Sequence, residues 1–191
     1  WQDMASIVIS PGIPHLHPEP HPAAAHANNL QIEVISEVEI ALRAKPKAQL
    51  VVVTGTNGKS TTTALIGHCL ATAGRAHAIG GNLGDPACSL DDPGKDGVLV
   101  LELSSYQLET TPSLAPDISI LLNISPDHLD RHGGMEGYIA AKAVVLERLG
   151  ANCLAIIGCG DEHVKTLAAA TRKRGIKTMI ASPDDAPDAQ R

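Results

Sequence analysis

One stretch, Leu50 to Thr63 (LVVVTGTNGKSTTT), limits what this chain can fold into more than any other. The run Leu50-Val51-Val52-Val53 is short and β-branched, the pattern of a strand buried on both faces, and it stops at Thr54-Gly55. A helical pattern starts at Lys59. Between them Gly55, Thr56, Asn57 and Gly58 form a strand-to-helix turn. There backbone N–H groups can converge where the positive end of the helix dipole points. Such a turn selects an anion, and phosphate fits best. Lys59 adds a point charge for outer phosphates, and Ser60 or Thr61 offers a hydroxyl to a magnesium ion. Ser60 to Thr63 are mediocre helix formers, so their hydroxyls rather than their propensities explain them. The general phosphate-loop pattern has a glycine where this chain has Val53, so the match is partial. The alternative reading is a glycine turn that merely caps a helix.

The remaining composition narrows the partners. The chain has 191 residues, enough for a real core, with 43% hydrophobic and 19% charged residues. Phe is absent and Trp1, Tyr106 and Tyr138 are the only aromatics, so the core is aliphatic and base stacking is ruled out along most of the chain. A net charge of −6 argues against a nucleic-acid or anionic-membrane surface. Cys69, Cys88, Cys153 and Cys159 show neither C-x-x-C nor zinc spacing and read as free thiols in a reducing compartment. No run reaches the roughly 18 apolar residues of a membrane span, and no signal peptide is visible.

Along the chain, strands are predicted at residues 6–10, 31–35, 50–53, 77–79, 98–103, 117–123, 153–157 and 176–181. Helices are predicted at residues 22–29, 36–44, 59–73, 135–149 and 162–174. Ser36-Glu37-Val38-Glu39 has the form of a capping box. The loop from Pro14 to Pro22 holds four prolines with His15, His17 and His21 and reads as solvated, with metal binding the lesser alternative. Strands alternating with helices predict an α/β fold: a mostly parallel sheet with helices on both faces. The tail, residues 182–191, is expected to be loose.

In a parallel sheet, residues at the carboxyl ends of strands open onto one crevice. Glu102 ends the run Val98-Leu99-Val100-Leu101 and is placed to hold magnesium; otherwise it is an edge acid paired with a lysine. Asp127, His128, Asp130, Arg131 and His132 follow the next strand, five ionisable groups in six residues. His128, flanked by acids, is a candidate for a metal or a substrate carboxylate. Tyr138 and Lys142 share one helix face, and on pattern alone Lys142 is a surface lysine.

Together TGTNGKST, GGNLG, LELSSYQLE, NISPDHLDRH and YIAAK resemble the Mur ligase family, from about Ser10 to about Gly158. The family's loop form carries TG-x-NGK-[ST], which accounts for Val53. ELSS-aromatic-QLE with DHLDRH resembles the branch that adds D-glutamate to UDP-N-acetylmuramoyl-L-alanine. The resemblance implies a P-loop ATPase-like central domain in which Lys59 contacts the ATP phosphates. Ser60 or Thr61 with Glu102 would hold one Mg2+. His128 would bind a second Mg2+, served also by Lys142 as its carbamate. Asn82, Ser104 and Gln107 would face the UDP-muramoyl substrate, and Ser10-Pro11-Gly12-Ile13 would belong to a UDP-binding domain. The implied reaction is amide ligation through an acyl phosphate, by a monomer in the bacterial cytoplasm without nucleic-acid or membrane partners. Residues 1–35 would be the end of the N-terminal domain and residues 36–181 part of the central one. The H-N-x-x-N adenine segment and the glutamate-binding third domain are missing, so the chain alone is expected to bind nucleotide poorly and not to ligate. Two rivals are a signalling NTPase, which needs an N-K-x-D that the chain lacks, and a noncatalytic nucleotide-binding module.

Overall fold

A computed structural model describes Trp1 and residues 3–182; all of the predicted tail but Ser182 lies outside the described residues. The chain opens with β1 (Ser6–Val8), α1 (Pro22–Asn29) and β2 (Glu33–Ile35). β1 and β2 pair in parallel, and Ile7, Ala27 and Ile32 form a small core of their own. Then follow α2 (Glu37–Arg43), β3 (Gln49–Thr54), α3 (Lys59–Thr72), β4 (His77–Gly81), β5 (Val98–Glu102), α4 (Ser105–Glu109) and β6 (Ile118–Leu121). α5 (Met135–Glu147), β7 (Leu154–Gly158), α6 (Glu162–Lys173) and β8 (Lys177–Ala181) complete it.

The second sheet is all parallel, in the order β4-β5-β3-β6-β7-β8, with helices on both faces as the alternation predicts. β3 lies inside the sheet, and Leu50 to Val53 are all buried, which explains the unbroken apolar run. Leu50 and Val52 face α2, α5 and α6 in the larger core. Val51 and Val53 face the opposite side, where Ile66 and Leu70 of α3 cover them. From β3 the chain crosses to β4 and β5 on one side, then to β6 on the other. The carboxyl ends of β5, β3 and β6 therefore meet at a switch point, where a ligand crevice belongs.

The capping box expected at Ser36 is half right. Ser36 Oγ accepts from the Glu39 amide at 3.3 Å, but Glu39 does not return the bond. Its side chain is buried and accepts from Ser113 N (2.8 Å), Ser113 Oγ (2.6 Å) and Arg43 Nε (2.7 Å). Burial would raise this carboxyl, but those bonds outweigh it and hold it below the usual carboxylate range. A full box forms instead at Ser104 and Gln107, opening α4, a helix that is not among the predicted elements. The proline- and histidine-rich loop is only partly solvated: His15 pairs with Glu109 at 3.8 Å, and His21 Nδ1 accepts from Ala23 N at 3.2 Å to cap α1.

At the end of β7 a Cβ on Gly158 would lie 2.0 Å from the Leu122 carbonyl oxygen. Gly158→Ala is expected to destabilise by about 1–3 kcal/mol, read from urea unfolding, because backbone rather than a flexible side chain must yield. An unchanged midpoint would show that the Leu122 carbonyl gives way freely.

Candidate active site

The turn after β3 is tied down before any ligand is considered. Gly55 has φ +151° and a Cβ there would lie 3.0 Å from Leu122 Cβ, while Gly58 has φ +83°. Both conformations favour glycine. Thr56 N donates to Asn123 O at 3.0 Å, and Thr56 Oγ1 accepts from Ser125 N at 3.0 Å. The Asn57 and Asn123 groups exchange two bonds: Asn57 N to Asn123 Oδ1 (2.9 Å) and Asn123 Nδ2 to Asn57 O (3.1 Å). Asp161 supports the same loop, accepting from Ile124 N at 2.9 Å while capping α6. Lys59 Nζ donates to Thr56 O at 2.9 Å.

Glu102 is paired in register with Val53 of β3 and Gly81 of β4. It is 1% exposed; Oε1 accepts from Asn82 Nδ2 at 2.9 Å, and Oε2 is buried without a hydrogen-bond partner. No salt bridge to it is found among the described residues, against the reading of an edge acid paired with a lysine. An unsatisfied buried carboxylate oxygen is costly unless a cation meets it.

Lys142 reverses its bland reading. It is 2% exposed, and its Nζ donates to the Gly55 carbonyl at 2.8 Å and lies 4.8 Å from the centre of the Tyr138 ring. Burial first, and the positive charge of Lys59 second, pull its pKa down to about 7, with Asp127 opposing them. Tyr138, also buried, places its hydroxyl 3.0 Å from Thr56 Oγ1, so α5 grips the loop at two points. His128 has φ +49°, a conformation unfavourable for a side-chain-bearing residue, and its Nε2 lies 3.5 Å from Asp127 Oδ2.

These groups surround a cavity of about 220 Å3. Lys59, Asn82, Ser104, Asp127, His128 and Lys142 line it, with Tyr106 and Tyr138 as aromatic wall and Pro11 and Gly12 from the N-terminal segment. Glu102 is buried against Asn82. Ser60 and Thr61 open α3 outside the cavity wall. Gln107 is not brought to the wall either: its Oε1 accepts from Ser104 N and Oγ, both at 3.0 Å, and so orients Ser104. Ser105 and Tyr106 also line the cavity and were not among the predicted site residues. The S-x-x-Q spacing at Ser104 was the available signal for α4.

A sequence model described as the Mur ligase middle domain matches residues 53–190. The chain belongs to the Mur ligase family. It is 48% identical over 183 residues to the UDP-N-acetylmuramoylalanine--D-glutamate ligase of Paramagnetospirillum magneticum, covering 95% of this chain and 40% of that one. The corresponding ligase of Caulobacter sp. is 48% identical over 190 residues, with the same coverage. This Mur ligase chain thus spans about 40% of the length of the curated relatives it matches. Among solved structures, a UDP-N-acetylmuramoyl-L-alanyl-D-glutamate--2,6-diaminopimelate ligase superposes with TM-score 0.60 at 24% identity, over 87% of this chain and 44% of that one. The MurF ligase of Thermotoga maritima in complex with ADP gives TM-score 0.58 at 16% identity, over 94% and 48%. Both share the fold of this Mur ligase chain.

Proposed function

We propose that the chain is the nucleotide-handling part of an ATP-dependent ligase that joins D-glutamate to UDP-N-acetylmuramoyl-L-alanine. Residues 36–181 would form most of its central domain and residues 1–35 the end of a UDP-binding one. The observation that carries this reading is Lys142: a buried lysine with its pKa near 7, bonded to the carbonyl of Gly55 in the phosphate loop. With Glu102 and His128 it favours a catalytic parent, because a module that only binds nucleotide has no use for two metal sites.

In this reading the amides of Gly58 and Lys59 at the start of α3 and the Lys59 ammonium would hold the ATP phosphates, while the Thr56 and Asn57 amides, bonded to Asn123, fix the turn that presents them. Among the described residues no group of three or more His, Cys, Asp or Glu could hold a metal by itself. That suits Mg2+, which takes one or two protein ligands and completes its shell with water and phosphate oxygens. Glu102, whose Oε2 lacks a partner, would hold one such ion with Ser60 or Thr61, and His128 with a carbamate on Lys142 would hold a second. When bound, the two ions would neutralise the anions that must approach one another.

The neutral Lys142 amine supplies the carbamate. Its lone pair attacks the carbon of CO2, the C–N bond forms as a C=O π pair moves to oxygen, and one proton leaves to solvent. The remaining N–H still donates to Gly55 O. Asn82 and Ser104 face the UDP-muramoyl substrate, with Gln107 fixing Ser104. Phosphoryl transfer from ATP to the terminal carboxylate gives ADP and an acyl phosphate. The amine of D-glutamate then attacks that carbonyl, loses a proton and expels phosphate.

Phosphate release with ATP and both substrates tests this. Substrate-dependent turnover is expected from a polypeptide extended to the relatives' length and not from the 191 residues alone. Turnover by the shorter chain would refute the incompleteness, and an inactive extended protein would refute the ligase reading. In the extended protein Lys142→Ala is expected to abolish turnover; unchanged turnover would count against the carbamate role.

A further inference from the structure

Beside the cavity, groups far apart in sequence form one cluster around His132, with Ser105 and Tyr106 reaching the cavity wall. Ser105 Oγ lies 2.9 Å from His132 Nε2, and Glu109 Oε1 lies 3.0 Å from His132 Nδ1. The His132 side chain has no exposed surface. A carboxylate can only accept, so Nδ1–H donates to Glu109 Oε1, and Nε2 shares a hydrogen with the Ser105 hydroxyl. Tyr106 stacks on the same imidazole at 5.1 Å and 8°. The Arg131 guanidinium lies 4.6 Å from the centre of the Tyr106 ring.

The cluster reaches the N-terminal segment at several points. Arg131 donates to Gly12 O at 3.2 Å and to Pro11 O at 3.4 Å, and the second carboxylate oxygen of Glu109 faces His15 Nε2 at 3.8 Å. The His17 ring packs on Gly133, where a Cβ would lie 3.1 Å from Nε2. Pro11 and Gly12 are themselves cavity wall.

We propose that His132 and Glu109 are positioning residues that lock the loop from Pro11 to His17 onto the cavity, so that one wall of the site depends on this hydrogen-bonded pair. They touch no substrate. They hold Tyr106, which carries Arg131, which holds the loop. The order Ser–His–acid also resembles a hydrolytic relay. A relay histidine must hand its proton to a leaving group, however, and an enclosed His132 has no path to one. The inference rests on the ligase reading only in what the cavity is for; the seating of the loop belongs to the chain itself.

Amide hydrogen exchange on the 191-residue chain tests it. The amides of Ile13 and His21 are bonded to the carbonyls of Ser10 and Pro14 and report on the loop. His132→Phe keeps a flat ring for Tyr106 and removes both hydrogen bonds. It is expected to speed exchange at Ile13 and His21 about tenfold while Val51 and Val52 of β3 stay unchanged. Glu109→Ala should do the same, and Glu109→Gln, which keeps an acceptor for Nδ1–H, should restore most of the protection. Arg131→Met leaves the His132–Glu109 pair intact and should also free the loop, so it decides the matter if His132→Phe does not fold. Exchange that rises equally in β3, or loop exchange unchanged in every variant, would overturn the proposal, as would labelling of Ser105 by a fluorophosphonate. If the extended protein turns out not to ligate, the exchange result still stands on its own.

Discussion

Replacing Lys142 with methionine is expected to make the protein more stable than its parent at pH 6, by a margin that shrinks steadily as the pH rises toward 10. The folded lysine titrates near 7 and an unfolded one near its ordinary 10.5. Between those values the unfolded chain binds more protons, so the parent gains stability as pH rises through that window and is flat below it. Within the window each pH unit is worth up to about 1.4 kcal/mol. Methionine has no such slope. The bond to Gly55 O is lost at every pH, so it offsets the difference curve without tilting it. Urea midpoints at pH 6, 7.5 and 9 in CO2-free buffer measure the tilt, and parallel curves would show that Lys142 is not held near 7. Carbonate should change the parent alone.

The second large effect belongs to Lys59. Under the proposed ligase reading, Lys59→Ala in the extended protein is expected to lower kcat about 10²–10³-fold, because the charge that would meet the phosphates during transfer is lost. The same change acts at a distance. Lys59 is the second cause of the lowered Lys142 pKa, so its removal should move that titration up toward 10.5, and the stability window of the 191-residue chain should shift with it. Wild-type kcat in Lys59→Ala would sink the catalytic assignment. An unmoved window would show that burial alone governs Lys142.

The sheet was legible because its signal is local: Leu50 to Val53 read as doubly buried, and alternating elements dictate parallel pairing. The turn from Gly55 to Lys59 was legible for the same reason. Lys142 was not, since nothing in its spacing tells a surface lysine from one folded back on Gly55; only the resemblance pointed to it. The second half of the Ser36 box failed because Glu39 is drawn across the core to Ser113, a partner 74 positions away. α4 is five residues long, too short for periodicity, and only its cap announces it. The docking of His15 on Glu109 is a tertiary event that a proline-rich composition hides.

The paired amides of Asn57 and Asn123 bear on the thermodynamics of nucleotide capture. Fixing a free backbone residue costs about 1–2 kcal/mol of conformational entropy. Here Thr56 and Asn57 are already fastened to the segment after β6, so that ordering is completed when the chain folds and little of it is left for the ligand to impose. An incoming polyphosphate would meet a turn whose backbone is already held in place. Loosening it by Asn123→Ala should weaken capture chiefly through the entropy of binding, leaving the heat released nearly as before.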